Sequence, residues 1–240
     1  MMIFDFFSGT SSSTAGFRNA GDTIISFELD KRFEATENVD IMTLTSDYLL
    51  STYGRPDFIW ASPPCTAFSV ASIGHHWELT PMGPRPKTAA AEYNQRIVEH
   101  TRKLIEEIQP RLGWLIENPR GMLRKLPAVA GLDRVTISYC QYGDTRQKPT
   151  DLWGIVPNWN PRPLCSPGAE CHVAAPRGSK TGTQGLKNAV ERSRIAPQLS
   201  EELRSALTAK IEAGQELSTL DPRTDNDTIG SLNFTAEDRQ

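Results

Sequence analysis

The sequence predicts an α/β fold, a doubly wound sheet with helices on both faces. Three observations predict it. Short apolar runs alternate with helix-period segments through residues 1–156. Each chemically conspicuous residue follows the end of such a run, where sheets of this kind bind ligands. Hydrophobic residues make up 38% of a 240-residue chain, enough to bury a sheet between two layers.

The elements follow in order. Residues 3–6 read as a first strand, followed by the small-residue loop 8–13 and a short helix, 14–20, closed by Gly21. The β-branched run 23–27 is a second strand ending in Glu28-Leu29-Asp30. Helices are expected over 31–36 and 44–50. The run 58–61 enters Ser62-Pro63-Pro64-Cys65, where two prolines stop the strand and fix a turn. The segment to Pro86 carries Gly74, Pro81, Gly83 and Pro84 and reads as a loop. Residues 87–109 form the longest helix, with Ile97, Leu104, Ile105 and Ile108 on one period and Pro110 beyond its end. A strand over 112–116 runs into Glu117-Asn118-Pro119. Strands 135–139 and 152–156 complete a sheet expected to be parallel.

Beyond it the organisation changes. Residues 157–194 are irregular and rich in proline. Residues 195–215 carry a C-terminal helix, its periodic part 199–213, with Ser200 as its expected cap. Residues 216–240 are polar, lack an apolar period and are expected to be disordered.

Composition excludes several classes. A net charge of -3 argues against a histone-like, non-specific nucleic-acid binder, but a local basic face would still serve DNA as a substrate. No apolar run approaches a membrane span. Asp5 interrupts the apolar start and no basic residue precedes it, so a buried strand is expected rather than a signal peptide. Four cysteines are too few for a secreted disulfide framework, and a reducing, cytoplasmic setting is expected.

Three strand ends carry candidate chemistry. Small residues around Gly9 would let a ligand approach the backbone, and Glu28 could bind both hydroxyls of a ribose. The loop is not G-x-G-x-x-G, so the nicotinamide fingerprint is absent. An ordinary turn with a solvated acid fits this pair equally well. Cys65 sits on a rigid turn and could be a nucleophile if a helix N-terminus or a cation stabilised its thiolate; a buried structural thiol is the alternative. Glu117, directly after an apolar strand, should be desolvated and could hold a proton for a ring nitrogen, or could simply face a helix N-terminus. Cys165 and Cys171-His172, with Cys140 as a further candidate, could offer zinc donors, but the spacing is no recognised finger and no metal is expected.

Together these segments resemble the DNA cytosine-5 methyltransferase family. Phe4-Asp5-Phe6-Phe7-Ser8-Gly9 through Gly16-Phe17 is similar to its first motif, and Ser26-Phe27-Glu28-Leu29-Asp30 to its second. Asp40-Ile41 falls where the family contacts the cofactor's adenine. Pro64-Cys65 with Ala67-Phe68-Ser69 resembles the catalytic cysteine loop, Glu117-Asn118 the Glu-Asn-Val motif, and Gln141-Tyr142-Gly143 the approach to the arginine motif. The resemblance covers about residues 3–153, in the family's order. It is closest to the short versions carried by bacterial viruses, which end in similar Cys-His and Ala-Pro-Arg-Gly-Ser-Lys-Thr-Gly segments.

The resemblance implies the Rossmann-like sheet of the class I S-adenosylmethionine-dependent methyltransferases, with a reduced recognition lobe. It implies S-adenosyl-L-methionine as cofactor, touched by Phe7, Gly9, Thr10, Glu28, Leu29, Asp40, Ile41 and Pro63. It implies double-stranded DNA as partner, a monomer, and the host cytoplasm if the gene is viral. Cys65 would add to carbon 6 of a flipped cytosine while Glu117 assists at N3. The chain departs from the pattern in three places. Ser11 and Ser12 replace the later glycines of the first motif. Lys148 replaces one arginine, as a point charge without the bidentate fork, and Thr150 the other; Arg120 is a candidate substitute. Arg162, Arg177, Lys180, Lys187, Arg192 and Arg194 are candidate phosphate contacts. His75-His76-Trp77 could cover the flipped base or simply pack. Competing readings are an amino methyltransferase acting on cytosine N4 or adenine N6, an inactive DNA-binding relic, and an enzyme acting on a free nucleotide.

Overall fold

The computed structural model describes residues 1–166, 168–174, 186 and 188–219. Its strands are β1 (Met2–Phe6), β2 (Thr23–Glu28), β3 (Glu37–Asn38), β4 (Phe58–Ala61), β5 (Trp77–Thr80), β6 (Gly83–Pro86), β7 (Gly113–Pro119), β8 (Arg134–Ser138) and β9 (Pro149–Ile155). Its helices are α1 (Ala15–Asn19), α2 (Ser46–Tyr53), α3 (Ile73–His76), α4 (Ala89–Ile108), α5 (Ala189–Ser193) and α6 (Pro197–Thr219). Seven strands form one sheet in the order β3-β2-β1-β4-β7-β9-β8, and β5-β6 is a separate hairpin.

Alternation along the strands explains the two layers. In β1, Ile3 faces one side of the sheet and Phe4 the other; in β4, Phe58 and Trp60 oppose Ile59. One face gathers Phe4, Phe6, Phe27, Ile59 and Ile116 against Ile97, Val98, Leu104, Ile105 and Ile108 of α4. The other gathers Ile3, Phe17, Phe58, Trp60 and Leu115 against Leu199, Leu203 and Leu207 of α6. Both faces are therefore covered, as the apolar runs predict.

The expected all-parallel sheet is corrected at one edge. β1, β2, β3, β4 and β7 run parallel, but β9 pairs antiparallel with both β7 and β8. Residues 139–148 between β8 and β9 hold a short 3₁₀ turn, Tyr139–Tyr142, and no crossover helix, so β9 can only turn back.

Register lines up the strand ends. Phe6 pairs with Phe27 on one side and with Ala61 on the other, and Ala61 pairs with Ile116. The loops that follow β1, β4 and β7 thus leave from one row. Because β9 is reversed, its start lies at the same edge, with Thr150 opposite Pro119.

Other expectations need adjustment. No helix forms over 31–36. The Phe33 N–H donates to the Asp30 carbonyl in a turn, the Arg32 N–H and guanidinium are held by the Asp30 carboxylate, and Thr36 exchanges hydrogen bonds with Ser26 of β2. These contacts supply the backbone more bonds than one isolated helical turn. The expected loop after Cys65 contains α3 and the β5–β6 hairpin. Trp77 of that hairpin is buried, its indole donating to the Ala67 carbonyl at 2.7 Å, so it packs rather than covers a ligand. Helix α6 begins at Pro197 and runs to Thr219, four residues into the expected tail; residues 220–240 lie outside the described residues.

Ser200 is therefore not a cap. It sits inside α6, where its hydroxyl accepts from the Gly16 N–H at 3.0 Å. A Cβ on Gly16 would lie 2.6 Å from the Glu201 backbone nitrogen, so only glycine allows α1 and α6 to approach this closely. Among the described residues no helix is long and apolar enough to cross a membrane.

Candidate active site

A cavity of about 370 Å³ opens at the aligned strand ends. Its walls are the loop after β1 (Phe7, Ser8, Gly9, Thr10, Ser12, Ser13), Arg32 and Phe33, the segment Ser62–Thr66, Glu117 and Pro119 of β7, Lys148 before β9, and Ala189, Val190, Arg192, Ser193 and Ile195.

The loop after β1 is conformationally unusual. Phe7, Gly9 and Ser11 have φ of 64°, 46° and 57°, alternating left-handed residues that only Gly9 adopts without strain. Two carboxylates hold this shape. Asp5, fully buried in β1, accepts from the hydroxyls of Ser13 and Thr14 at 2.9 Å. Burial pushes its carboxyl up to about 6. Glu28 accepts from the N–H groups of Gly9 at 2.8 Å and Asp30 at 2.9 Å. The Ser8 hydroxyl is buried on the cavity wall without a hydrogen-bond partner.

At the other end, Cys65, Glu117 and Lys148 line the same cavity. Asn118 ties two of their elements together, its amide donating to the Pro63 carbonyl at 2.9 Å. The main chain after Cys65 turns back at once, with the Phe68 and Ser69 N–H groups donating to the Cys65 carbonyl at 2.9 and 3.0 Å. Burial first, then the Glu117 charge, pushes the Cys65 thiol up, while Lys148 pulls it down. Burial and Glu117 thus favour the thiol form of Cys65, and Lys148 the thiolate.

Glu117 is 5% exposed, and burial raises its pKa, opposed by Lys148 and by the hydrogen bond from Tyr139. The Tyr139 hydroxyl donates to Glu117 Oε1 at 2.9 Å. Lys148 lies with Nζ 4.4 Å from the centroid of the Tyr139 ring, and burial lowers its pKa while Glu117 raises it. A protonatable carboxyl, a thiol and a masked cation thus share one desolvated wall.

Sequence reasoning missed several of these residues. Tyr139 reads as an ordinary strand end. Arg146 is buried, paired with Asp144, and donates to the carbonyls of Glu191, Arg192 and Arg194. It thereby fixes the segment carrying the Arg192–Ile195 wall. Nothing local in the sequence marks either role, because Glu117 and the 191–194 carbonyls are distant along the chain from the residues that hold them.

The other expected residues fall as follows. Phe7, Gly9, Thr10 and Pro63 line the cavity; Glu28, Leu29, Asp40 and Ile41 do not. Leu29 is 63% exposed, Ile41 is in the core, and Asp40 caps a 3₁₀ turn through the Met42 N–H and accepts from the Tyr93 hydroxyl at 3.1 Å. Thr150 is fully buried below the cavity and donates to the Lys148 carbonyl at 3.1 Å. Arg120 is exposed and does not line the cavity. Among the expected phosphate contacts, Arg162 is engaged internally by Glu202 and by the Gln198 side chain, and Arg194 pairs with Glu191. Arg177, Lys180 and Lys187 lie outside the described residues. Cys140, Cys165, Cys171 and His172 converge at a separate place in the fold.

The strand order, the single reversed strand and a cavity at the carboxyl edge define a Rossmann-like enzyme of the methyltransferase type. Residues 1–127 match the model of the C-5 cytosine-specific DNA methylases. The chain belongs to that family. It is 26% identical over 226 residues to a probable DNA (cytosine-5)-methyltransferase of Frog virus 3 (isolate Goorha), covering 85% of this chain and 98% of the relative. Solved structures similar to it include a Spodoptera frugiperda DNMT2 mutant, at 14% identity and a TM-score of 0.41 over 67% of this chain and 53% of that one. Another is the S. pombe Dnmt2 methyltransferase, at 13% identity and 0.44 over 64% and 48%. The chain spans about half the length of those two structures.

Proposed function

We propose that the chain methylates carbon 5 of cytosine in double-stranded DNA, with Cys65 as nucleophile and Glu117 as the acid at N3. The observation that carries this reading is that Cys65, Glu117 and Lys148 share one cavity with the Gly9 loop. Such a site has to accommodate a base and a methyl donor side by side.

The residues present fit S-adenosylmethionine. The left-handed Gly9 loop, the unpartnered Ser8 hydroxyl, Phe7, Thr10 and Pro63 would hold it. Glu28 keeps lone-pair directions beyond the two it uses on the Gly9 and Asp30 amides, and remains the candidate for ribose hydroxyls. When bound, this donor supplies an electrophilic methyl group.

The chain's own residues do the rest. A cytosine flipped from the duplex enters the cavity. Cys65 gives its proton to solvent, and its sulfur bonds to carbon 6 as the C5–C6 double bond opens. Glu117, whose affinity for a proton is raised by burial, gives its proton to N3, so the ring does not accumulate negative charge. Carbon 5 becomes nucleophilic and would take the methyl group as the donor's sulfur–methyl bond breaks, leaving a neutral thioether. Loss of the carbon-5 proton to solvent then expels Cys65 as the leaving group and restores the double bond, and the N3 proton returns to Glu117. Lys148 lowers the cost of negative charge on both Cys65 and Glu117.

Duplex DNA carrying 5-fluorocytosine tests this reading, because fluorine cannot leave as a proton does. The expected result is a covalent protein–DNA adduct that requires S-adenosylmethionine and disappears in Cys65→Ala. Methylation by Cys65→Ala at the wild-type rate would overturn it and favour amino methylation.

A further inference from the structure

The geometry points to a structural zinc site formed by Cys140, Cys165, Cys171 and His172, outside the cavity described above. One donor atom from each of the four lies within 4.8 Å of every other. The Sγ atoms of Cys165 and Cys171 are 3.1 Å apart, and those of Cys171 and Cys140 are 3.6 Å apart. His172 Nδ1 lies 3.3 Å from Cys165 Sγ and 3.7 Å from Cys171 Sγ. A tetrahedral zinc with Zn–S bonds of about 2.3 Å holds its sulfurs about 3.8 Å apart. The cluster therefore needs only small adjustments to surround one ion.

Proximity along the chain does not explain the convergence. Cys140 lies in the turn after β8, and the other three lie beyond β9. The fold brings these stretches together through the Cys165 N–H to the Ser138 hydroxyl at 3.1 Å, the Gln147 amide to the Cys165 carbonyl at 3.3 Å, and the Val173 N–H to the Thr145 carbonyl at 2.9 Å. The Gln141 amide points at Cys171 Sγ, 3.4 Å away, as an outer partner of a thiolate would.

The donor set selects the metal. Three thiols and an imidazole are soft and borderline ligands, which suit zinc and not magnesium or calcium. Four protein ligands close the coordination sphere, so the site holds structure and leaves no position for chemistry. Binding releases the thiol protons to solvent. The ion would pin the segment after β9 to the turn that begins with Tyr139, the partner of Glu117.

The test uses the full chain without an affinity tag, purified under reducing conditions. Elemental analysis should find about one zinc per chain. Cobalt substitution should give the intense visible bands of a tetrahedral sulfur-rich site. Cys171→Ser and His172→Ala should fall below about a tenth of an equivalent, while Cys65→Ser keeps the full amount. If those two variants do not fold, chelation of the wild-type protein should lower its Tm, and zinc should restore it. A folded wild-type protein that takes up no zinc, a disulfide among these cysteines under the same conditions, or equal zinc loss in Cys65→Ser would overturn the assignment. Zinc content is read without reference to methylation, so the two proposals fail independently.

Discussion

The Tyr139 hydroxyl donates a 2.9 Å hydrogen bond to Oε1 of Glu117, and both side chains are buried. A donor to a carboxylate favours its charged form, so Tyr139 moderates the rise that burial imposes on Glu117. The carboxyl is thereby held in one orientation.

Tyr139→Phe removes that donor. Glu117 should hold its proton to higher pH, and the alkaline limb of the methylation rate should move upward. The rate at the optimum should fall about tenfold, the worth of one buried hydrogen bond to a charged group. A pH–rate profile for DNA methylation checks both; an unmoved limb would show that the bond does not act on Glu117.

Lys148→Gln should raise the pKa of Cys65, since Lys148 opposes the effects of burial and of Glu117 on that thiol. The midpoint of iodoacetamide alkylation at Cys65 should move up by about one pH unit. Lys148→Arg should preserve most of the wild-type midpoint, because it keeps the charge.

Asp5 titrates at about 6 in the fold, against 3.8 for a free aspartate. The folded state therefore binds a proton more tightly than the unfolded chain between these values. Its contribution is fully present below pH 3.8 and is lost as pH rises through 6, a difference of about 3 kcal/mol. The gap in stability between Asp5→Asn and the wild type should shift in favour of Asn by that amount from pH 4 to 7. Urea titrations across the range check the sign.

Gly16→Ala should separate α1 from α6, because the added Cβ meets backbone atoms of Ser200 and Glu201 within 2.8 Å. A destabilisation of about 2–3 kcal/mol is expected. The Tm should drop by about 5 °C. Ser205→Ala, on an exposed face of the same helix, should leave it unchanged.

Much of the fold was legible because its signals are local. Strand runs such as 58–61 and the period of α4 depend on near neighbours in the chain. The helix expected over 31–36 failed because Asp30 and Ser26 offered that backbone other partners. The reversed β9 was not legible, since strand direction is set by the length of the 139–148 connection and by which neighbour is free to pair. Tyr139 and Arg146 were invisible as site residues for the same reason: Glu117 and the 191–194 carbonyls they hold lie 22 and at least 45 residues away in sequence.

By itself the sequence determined the alternation of strands and helices, the small-residue loop at Gly9, the Pro63-Pro64-Cys65 turn and the carboxylate that follows the apolar run 112–116. Those are short-range features, written in residue type and spacing. The tertiary structure alone decided that Lys148 stands beside Cys65 and Glu117. Reversing β9 carries its start to the edge where the parallel strands end, so a residue far along the chain reaches the same cavity. It also decided the direction in which the pKa values of the wall move, because desolvation depends on everything packed around a group and not on its neighbours in sequence.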